Sequence, residues 1–151
     1  CGVDVLTLGL TKTGAIGCEL ILLFGRARER FAQLRARAKR AGHMPPKMRY
    51  LAAQAEAMLT GGLWLELAAS ANAKAQLLSE TFEAAGIGLE HCRQGNEVFV
   101  RLGSRDIQAL RSAGASFYEW PGGSCRFVCS WTTTQEEISA LRSVLDGSAK
   151  G

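Results

Sequence analysis

The sequence lacks several features that would point to common classes of protein. None of its apolar runs reaches the roughly 18 residues that a membrane-spanning helix needs, and the longest candidate, residues 15–25, is interrupted by Glu19. No basic segment followed by an apolar stretch marks a secretory signal peptide. CxxC pairs, an HExxH motif and a Gly-rich phosphate loop are missing as well. The sequence therefore predicts no metal site, whether structural zinc or metalloprotease, and no P-loop nucleotide site.

Cysteine is present in an odd number and in no disulfide or metal-binding spacing. The five cysteines include Cys125 and Cys129, four apart on a strand-like stretch, where they share a face and lie too far apart to bridge. This usage favours reduced, buried thiols and a cytoplasmic location.

The composition, with 47% hydrophobic and 21% charged residues, is that of a folded chain rather than a disordered one. The net charge of +4 is concentrated in residues 26–49, which hold nine of the 18 basic residues and one acid, Glu29. We call residues 26–49 the basic segment. Such a segment is either a solvated helix face or a surface that attracts phosphate on nucleic acid, membrane or cofactor. Because Phe31 is the one Phe, Tyr or Trp among its basic residues and no nucleic-acid-binding motif follows it, we do not expect a nucleic-acid partner.

The periodicity predicts two α/β parts. Strands are predicted over residues 3–8 and 17–24, and helices over 26–40, 47–59 and 63–85. A strand, helix, strand, strand, helix order follows, with a capping box formed by Thr134 and Glu137 and a helix cap at Ser104. Three strands and three helices make a two-layer sandwich. The chain opens at Cys1 directly before a strand, so we expect a piece of a longer protein, in which residues 3–24 expose apolar surface.

Two side chains stand out for their positions. Lys12 lies in a Gly-flanked loop directly after a buried strand, where partial desolvation would lower its pKa and suit Schiff-base chemistry; a solvated lysine is the alternative. Arg126 lies inside an apolar strand, where its guanidinium needs a carboxylate partner unless strand alternation directs it to solvent.

Five stretches together resemble the low-specificity threonine aldolases, which are fold-type-I pyridoxal-phosphate enzymes. The resemblance runs from residue 3 to about 145. The stretches are DVLTLGLTKTGA at 4–15, KMRYLAAQ at 47–54, NEVFV at 96–100, FYEW at 117–120 and RFVCSW at 126–131.

The resemblance implies the following roles. Lys12 would be the Schiff-base lysine for pyridoxal 5′-phosphate, and Arg126 would bind the substrate carboxylate. Arg49, with Lys47, would approach the cofactor phosphate, in the same subunit or a neighbouring one, and Thr11 would hydrogen-bond near it. Residues 1–60 would be the trailing part of the large cofactor-binding domain. Residues 61–151 would comprise a linking helix and a small C-terminal α+β domain.

The activity so implied is cleavage of threonine, allo-threonine and related β-hydroxy amino acids to glycine and an aldehyde, in a cytoplasmic homodimer or homotetramer with shared active sites. The partner of the pyridine nitrogen and the histidine base would lie upstream of Lys12, so we expect the chain alone to be inactive. Two alternatives remain open. One is another fold-type-I enzyme, either a β-eliminating lyase or an aminotransferase. The other is a basic nucleic-acid-binding module.

Overall fold

A computed structural model describes residues 2–148. The chain divides into two compact units, Cys1–Glu66 and Leu67–Gly151. Each unit is a mixture of helices and strands. The assignment of residues 1–60 and 61–151 to a large and a small domain stays a prediction.

The first unit begins with a two-stranded antiparallel hairpin. Strand β1, Val5–Gly9, pairs with strand β2, Glu19–Leu23, in a register that sets Val5 opposite Leu23 and Gly9 opposite Glu19. Val5 and Ile21 remain about half exposed, at 49% and 53%. The expectation that residues 3–24 would pair as strands and expose apolar surface is thus confirmed.

The basic segment forms less regular helix than predicted. Residues Gly25–Arg30 form 3-10 turns, and only Phe31–Arg40 are α-helical, as helix α1. The predicted helix start at residue 26 is therefore five residues early: Gly25, just before it, has a φ of 50° in the left-handed region, and the turns that follow are 3-10. Helix α2, Arg49–Leu59, starts two residues later than predicted. Lys47 explains this delay, because its φ of 65° is incompatible with a right-handed helix.

The second unit contains a three-stranded antiparallel sheet and its helices. Helix α3, Leu63–Ala84, begins before the boundary between the units and ends just before Gly86, which has the positive φ of a helix stop. The sheet has the strand order β3-β5-β4. Its elements are β3, Glu97–Val100; α4, Ser104–Ser112; β4, Tyr118–Trp120; β5, Ser124–Val128; and α5, Gln135–Ser148. The predicted order of strands and helices is confirmed.

One face of this sheet carries the hydrophobic core of the second unit. Phe82 of α3 is fully buried, and its ring centroid lies 5.0 Å from that of Phe127 on β5, which in turn stacks on Phe117 at 4.5 Å. Val98 and Val100 bury on the same face, as the alternation of β3 predicts. The opposite face therefore receives the alternate residues, among them Arg126.

Helix α5 begins with the capping box that the sequence predicts. The Glu137 N–H donates to Thr134 Oγ1 over 3.2 Å, and the Thr134 N–H donates to Glu137 Oε2 over 2.7 Å. The predicted cap at Ser104 is wrong. Ser104 is already the first residue of α4, and Gly103, which flanks it, has no side chain to offer.

The substitution Thr134→Ala should lower the free energy of unfolding by about 1 kcal/mol, because one N–H at the start of α5 loses its acceptor. Urea denaturation of the 151-residue chain measures this loss. Gln135→Ala, at the adjacent exposed position, is the matched control and should change stability by less than about 0.5 kcal/mol. Equal stability of the Thr134→Ala variant and the parent would show that the box contributes nothing.

Candidate functional site

Lys12 lies in a tight turn at the end of β1. Leu10 is almost fully buried, and its carbonyl oxygen accepts from the N–H groups of Thr13 at 3.2 Å and Ala15 at 3.0 Å. Residues Thr11–Thr13 form a 3-10 turn between that buried anchor and Gly14, whose φ is 128°. The backbone is thus fixed on both sides of Lys12.

Gly9, directly before this turn, lies close to an exposed carboxylate of the facing strand. A Cβ at position 9 would lie 2.8 Å from Glu19 Oε2, on the facing strand. Any larger residue must displace that carboxylate. The glycine predicted only as a loop flank therefore has a steric reason to be there.

Partial desolvation of Lys12, expected from its position after a strand, is wrong for this chain. Lys12 and Thr11 are both exposed. Within residues 2–148 the sheet next to this turn has two strands, β1 and β2, and no further strand covers the turn. The ε-amino group is accessible to a reactant.

Helix α2 is tied to the Lys12 loop by one side chain. Gln54 Oε1 accepts from the Ile16 N–H over 2.8 Å, and its Nε2 donates to the Tyr50 carbonyl over 3.3 Å. Arg49 is the first residue of this helix. The first unit thus joins the turn that carries Lys12 to the helix that starts with Arg49.

The donor set in the first unit fits a cofactor with an aldehyde and a phosphate. Lys12 offers a primary amine and Thr11 a hydroxyl, both exposed. Lys47 and Arg49, also exposed, place two cations at the N-terminal end of α2, where backbone N–H groups and the helix dipole favour an anion. An amine suits the aldehyde, and the other groups suit the phosphate.

Arg126 lies in the second unit, on the outer face of the sheet. Its Nε and Nη2 donate to Glu97 Oε1 over 3.1 Å and 2.7 Å. Its guanidinium carbon lies 5.1 Å from the ring centroid of Trp120 and 5.6 Å from that of Tyr118. The side chain is 24% exposed. Of the two interpretations left open, a carboxylate partner is therefore the one observed, and it is an internal one.

Glu97, Tyr118 and Trp120 were not identified from the sequence as site residues. The sequence pattern that could have found them is strand alternation, because every second residue of a strand lies on the same face of the sheet. It becomes useful only with the register, which sets Phe99 and Tyr118 opposite Arg126. Glu97 and Trp120 are the next residues of that face.

The rest of the basic segment is a solvated surface. Helix α1 has no buried residue, and Phe31 is 61% exposed. The ion pairs found within residues 2–148 join Arg101 to Glu90, Arg111 to Glu119, Arg126 to Glu97 and Arg142 to Asp146, and none involves the basic segment.

Among the cysteines that the structure describes, three fit the structural role that the sequence predicts and one does not, while Cys1 lies outside the described residues. Cys18, Cys125 and Cys129 are buried, whereas Cys92 is exposed. Burial raises the pKa of Cys125 and, with a contribution from Glu137, that of Cys129. These two thiols stay protonated at neutral pH and are poor nucleophiles.

Residues 2–148 contain neither a membrane-spanning helix nor a cluster of metal ligands. No helix in that range combines the length and the apolar character needed to cross a bilayer. The same residues do not bring three or more His, Cys, Asp or Glu side chains together as a metal site would.

Comparison with known proteins identifies similar enzymes. No family model matches the chain. It is 39% identical to the low specificity L-threonine aldolase of a Pseudomonas strain (NCIMB 10558) and 40% identical to that of Pseudomonas aeruginosa, each over 142 residues. Each match covers 93% of this chain and 40% of the relative. The chain thus spans about 40% of the length of the curated relatives it matches.

Solved structures give the same result for the fold. A threonine aldolase from Leishmania major matches with a TM-score of 0.84 at 28% identity, over 95% of this chain and 43% of that one. An 8-amino-7-oxononanoate synthase from Francisella tularensis matches with a TM-score of 0.69 over 97% of this chain and 45% of that one, and at 15% identity shows the fold alone. The predicted α/β, fold-type-I class is confirmed. Over nearly its whole length, this chain is therefore related in sequence and in fold to part of a low-specificity threonine aldolase, as its motifs predicted.

Proposed function

We propose that the protein containing this chain is a pyridoxal-phosphate-dependent aldolase. It would cleave threonine, allo-threonine and related β-hydroxy amino acids to glycine and an aldehyde. The supporting observation is the identity of 39–40% to two such enzymes over 142 residues, a span long enough to include both Lys12 and Arg126.

In this proposal the cofactor supplies the chemistry, and a small set of residues holds it. When bound, pyridoxal phosphate accepts the electron pair left on Cα as the Cα–Cβ bond breaks. Lys12 is the amine that holds the cofactor covalently through its aldehyde and yields that place to the substrate amine. Lys47, Arg49 and the Thr11 hydroxyl hold the phosphate.

Arg126 binds the substrate α-carboxylate in this proposal. A guanidinium packed against two aromatic rings presents a planar fork, which matches the two oxygens of a carboxylate. By fixing the substrate carboxylate, Arg126 would orient the bonds of Cα and so favour breaking Cα–Cβ over other reactions.

The proposal extends to the assembly and its location. We expect a cytoplasmic homodimer or homotetramer in which Lys47 and Arg49 reach the phosphate in their own subunit or a neighbouring one. No nucleic-acid partner is included, because no nucleic-acid-binding motif follows the basic segment, and no membrane partner, because none of the apolar runs has the length of a membrane-spanning helix.

The test is product analysis of the purified full-length protein. With threonine and pyridoxal phosphate, we expect glycine and acetaldehyde in equal amounts. Pyruvate or another keto acid would overturn the proposal in favour of a lyase or aminotransferase of the same fold. Salt-sensitive binding to RNA or DNA without any cleavage would instead support the basic module.

The 151-residue chain alone is the comparison sample. We expect no threonine cleavage from it and no stoichiometric visible absorption band with pyridoxal phosphate, because the chain spans about 40% of the length of the aldolases it matches. A tight band that is lost in Lys12→Ala would contradict the expectation for cofactor binding. Measurable cleavage would contradict it for catalysis.

A further inference from the structure

Arg126 is held in place from three sides by its neighbours on the outer sheet face. Trp120 and Tyr118 contribute ring faces at 5.1 Å and 5.6 Å, and Glu97 contributes a carboxylate oxygen at 2.7 Å. The register explains this arrangement, since β5 lies between β3 and β4. The neighbours on either side of Arg126 thus belong to different strands.

Glu97 uses one edge of the guanidinium and leaves another free. An arginine has five N–H donors, on Nε, Nη1 and Nη2. Glu97 Oε1 accepts from Nε and from Nη2, which lie on the side edge of the fork. Within the part of the chain that the structure describes, no group accepts from Nη1. The end edge, formed by Nη1 and the second N–H of Nη2, is therefore available for a second carboxylate.

We propose that Glu97 is a positioning residue, which holds Arg126 by the side edge of its guanidinium so that the end edge binds the substrate carboxylate. The inference rests on the proposed function. Without Glu97, the guanidinium would lose the hydrogen bonds that fix its rotation and would sample other rotamers before binding. The apparent affinity for substrate would then fall in proportion to the fraction of time that the guanidinium spends in the binding rotamer.

The opposite role, in which Glu97 competes with substrate for Arg126, makes a different prediction. A competitor keeps the substrate carboxylate out, so its removal would improve binding. A positioning residue holds the guanidinium through its acceptor oxygen. Its negative charge is not needed for this, and it weakens the attraction of Arg126 for the substrate carboxylate. Glu97→Ala and Glu97→Gln separate the two roles, because the glutamine retains an acceptor oxygen and lacks the charge.

Steady-state kinetics of the full-length protein test the inference. We expect Glu97→Ala to raise the KM for threonine about tenfold, with kcat changed less than about twofold. Glu97→Gln should keep the KM at or below the wild-type value. Glu119→Gln is the matched control, since Glu119 also lies on this sheet and pairs with an arginine, Arg111 at 2.7 Å. It should leave both constants unchanged.

A lower KM in both Glu97 variants would overturn the inference in favour of competition. An unchanged KM in Glu97→Ala, or equal effects in Glu97→Ala and Glu119→Gln, would overturn it as well.

A second measurement separates this inference from the proposed function. In the ¹⁵N-labelled 151-residue chain, the Nε–H signal of Arg126, assigned with Arg126→Lys, should exchange slowly with solvent. It should remain slow in Glu97→Gln and become fast in Glu97→Ala. Absence of threonine cleavage by the full-length protein would refute the proposed function. Fast exchange in the unmodified chain would refute the positioning role of Glu97. Cleavage with slow exchange but a KM indifferent to Glu97→Ala would end the positioning role alone.

Discussion

Replacing Lys12 with alanine should reduce threonine cleavage by the full-length protein by about 10⁴-fold or more. The ε-amine is the group proposed to hold the cofactor covalently and to exchange with the substrate amine, and alanine supplies no amine. We expect the variant to fold normally, because Lys12 is exposed in a turn whose backbone is fixed by hydrogen bonds to Leu10. Initial rates of acetaldehyde release with saturating pyridoxal phosphate measure the effect.

Two further variants make that result interpretable. Lys39→Ala removes an exposed lysine of α1 and should leave the rate unchanged. Lys12→Arg keeps the positive charge but offers no nucleophilic amine at neutral pH, so it should be as inactive as Lys12→Ala. A Lys12→Ala variant that retains a tenth of the activity would refute the assigned role.

Replacing Arg126 with alanine should lower kcat/KM for threonine about 100-fold, mainly through a higher KM. Hydrogen bonds to charged groups contribute roughly 1.5–3 kcal/mol, and the upper end of that range corresponds to a factor of about 100. The substitution also leaves the Glu97 carboxylate unpaired, and its negative charge then repels the substrate carboxylate. The effect should therefore exceed that of Glu97→Ala.

The control for this variant is Arg105→Ala, an exposed arginine of α4. Substrate range adds a second readout. If Arg126 binds the α-carboxylate, the variant should lose its preference for amino acids over the corresponding β-hydroxy amines, which lack that group. An unchanged KM for threonine in Arg126→Ala would show that the carboxylate binds elsewhere.

Local chemistry made parts of this chain predictable from the sequence. The Thr134 and Glu137 capping box, the stop at Gly86 and the order of elements in the second unit depend on residues close together in the chain. The positive φ of Lys47 is a different case, because no local rule places a lysine in the left-handed region. The start of α2 was misplaced for that reason.

The partner of Arg126 depends on strand pairing and could not be read from the sequence. Alternation assigns each residue to a face, but a change of register by one residue reverses that assignment for the whole strand. Glu97 and Arg126 are 29 positions apart and meet only because β3 lies next to β5. The exposure of Lys12 likewise follows from how many strands lie beside the hairpin.

The hydrogen bond between Gln54 and Ile16 has a consequence for ligand geometry. In the proposed cofactor, the aldehyde and the phosphate are joined by a rigid aromatic ring, so protein groups that bind both must keep a constant separation. Here the Gln54 side chain joins the loop of Lys12 to the helix that Arg49 begins, and the buried Ala55 and Met58 of that helix add packing contacts. Asparagine, shorter by one C–C bond of about 1.5 Å, would break the bridge or draw the helix inward. The Gln54→Asn substitution would therefore change the distance between the two groups proposed to bind the aldehyde and the phosphate, without removing either group.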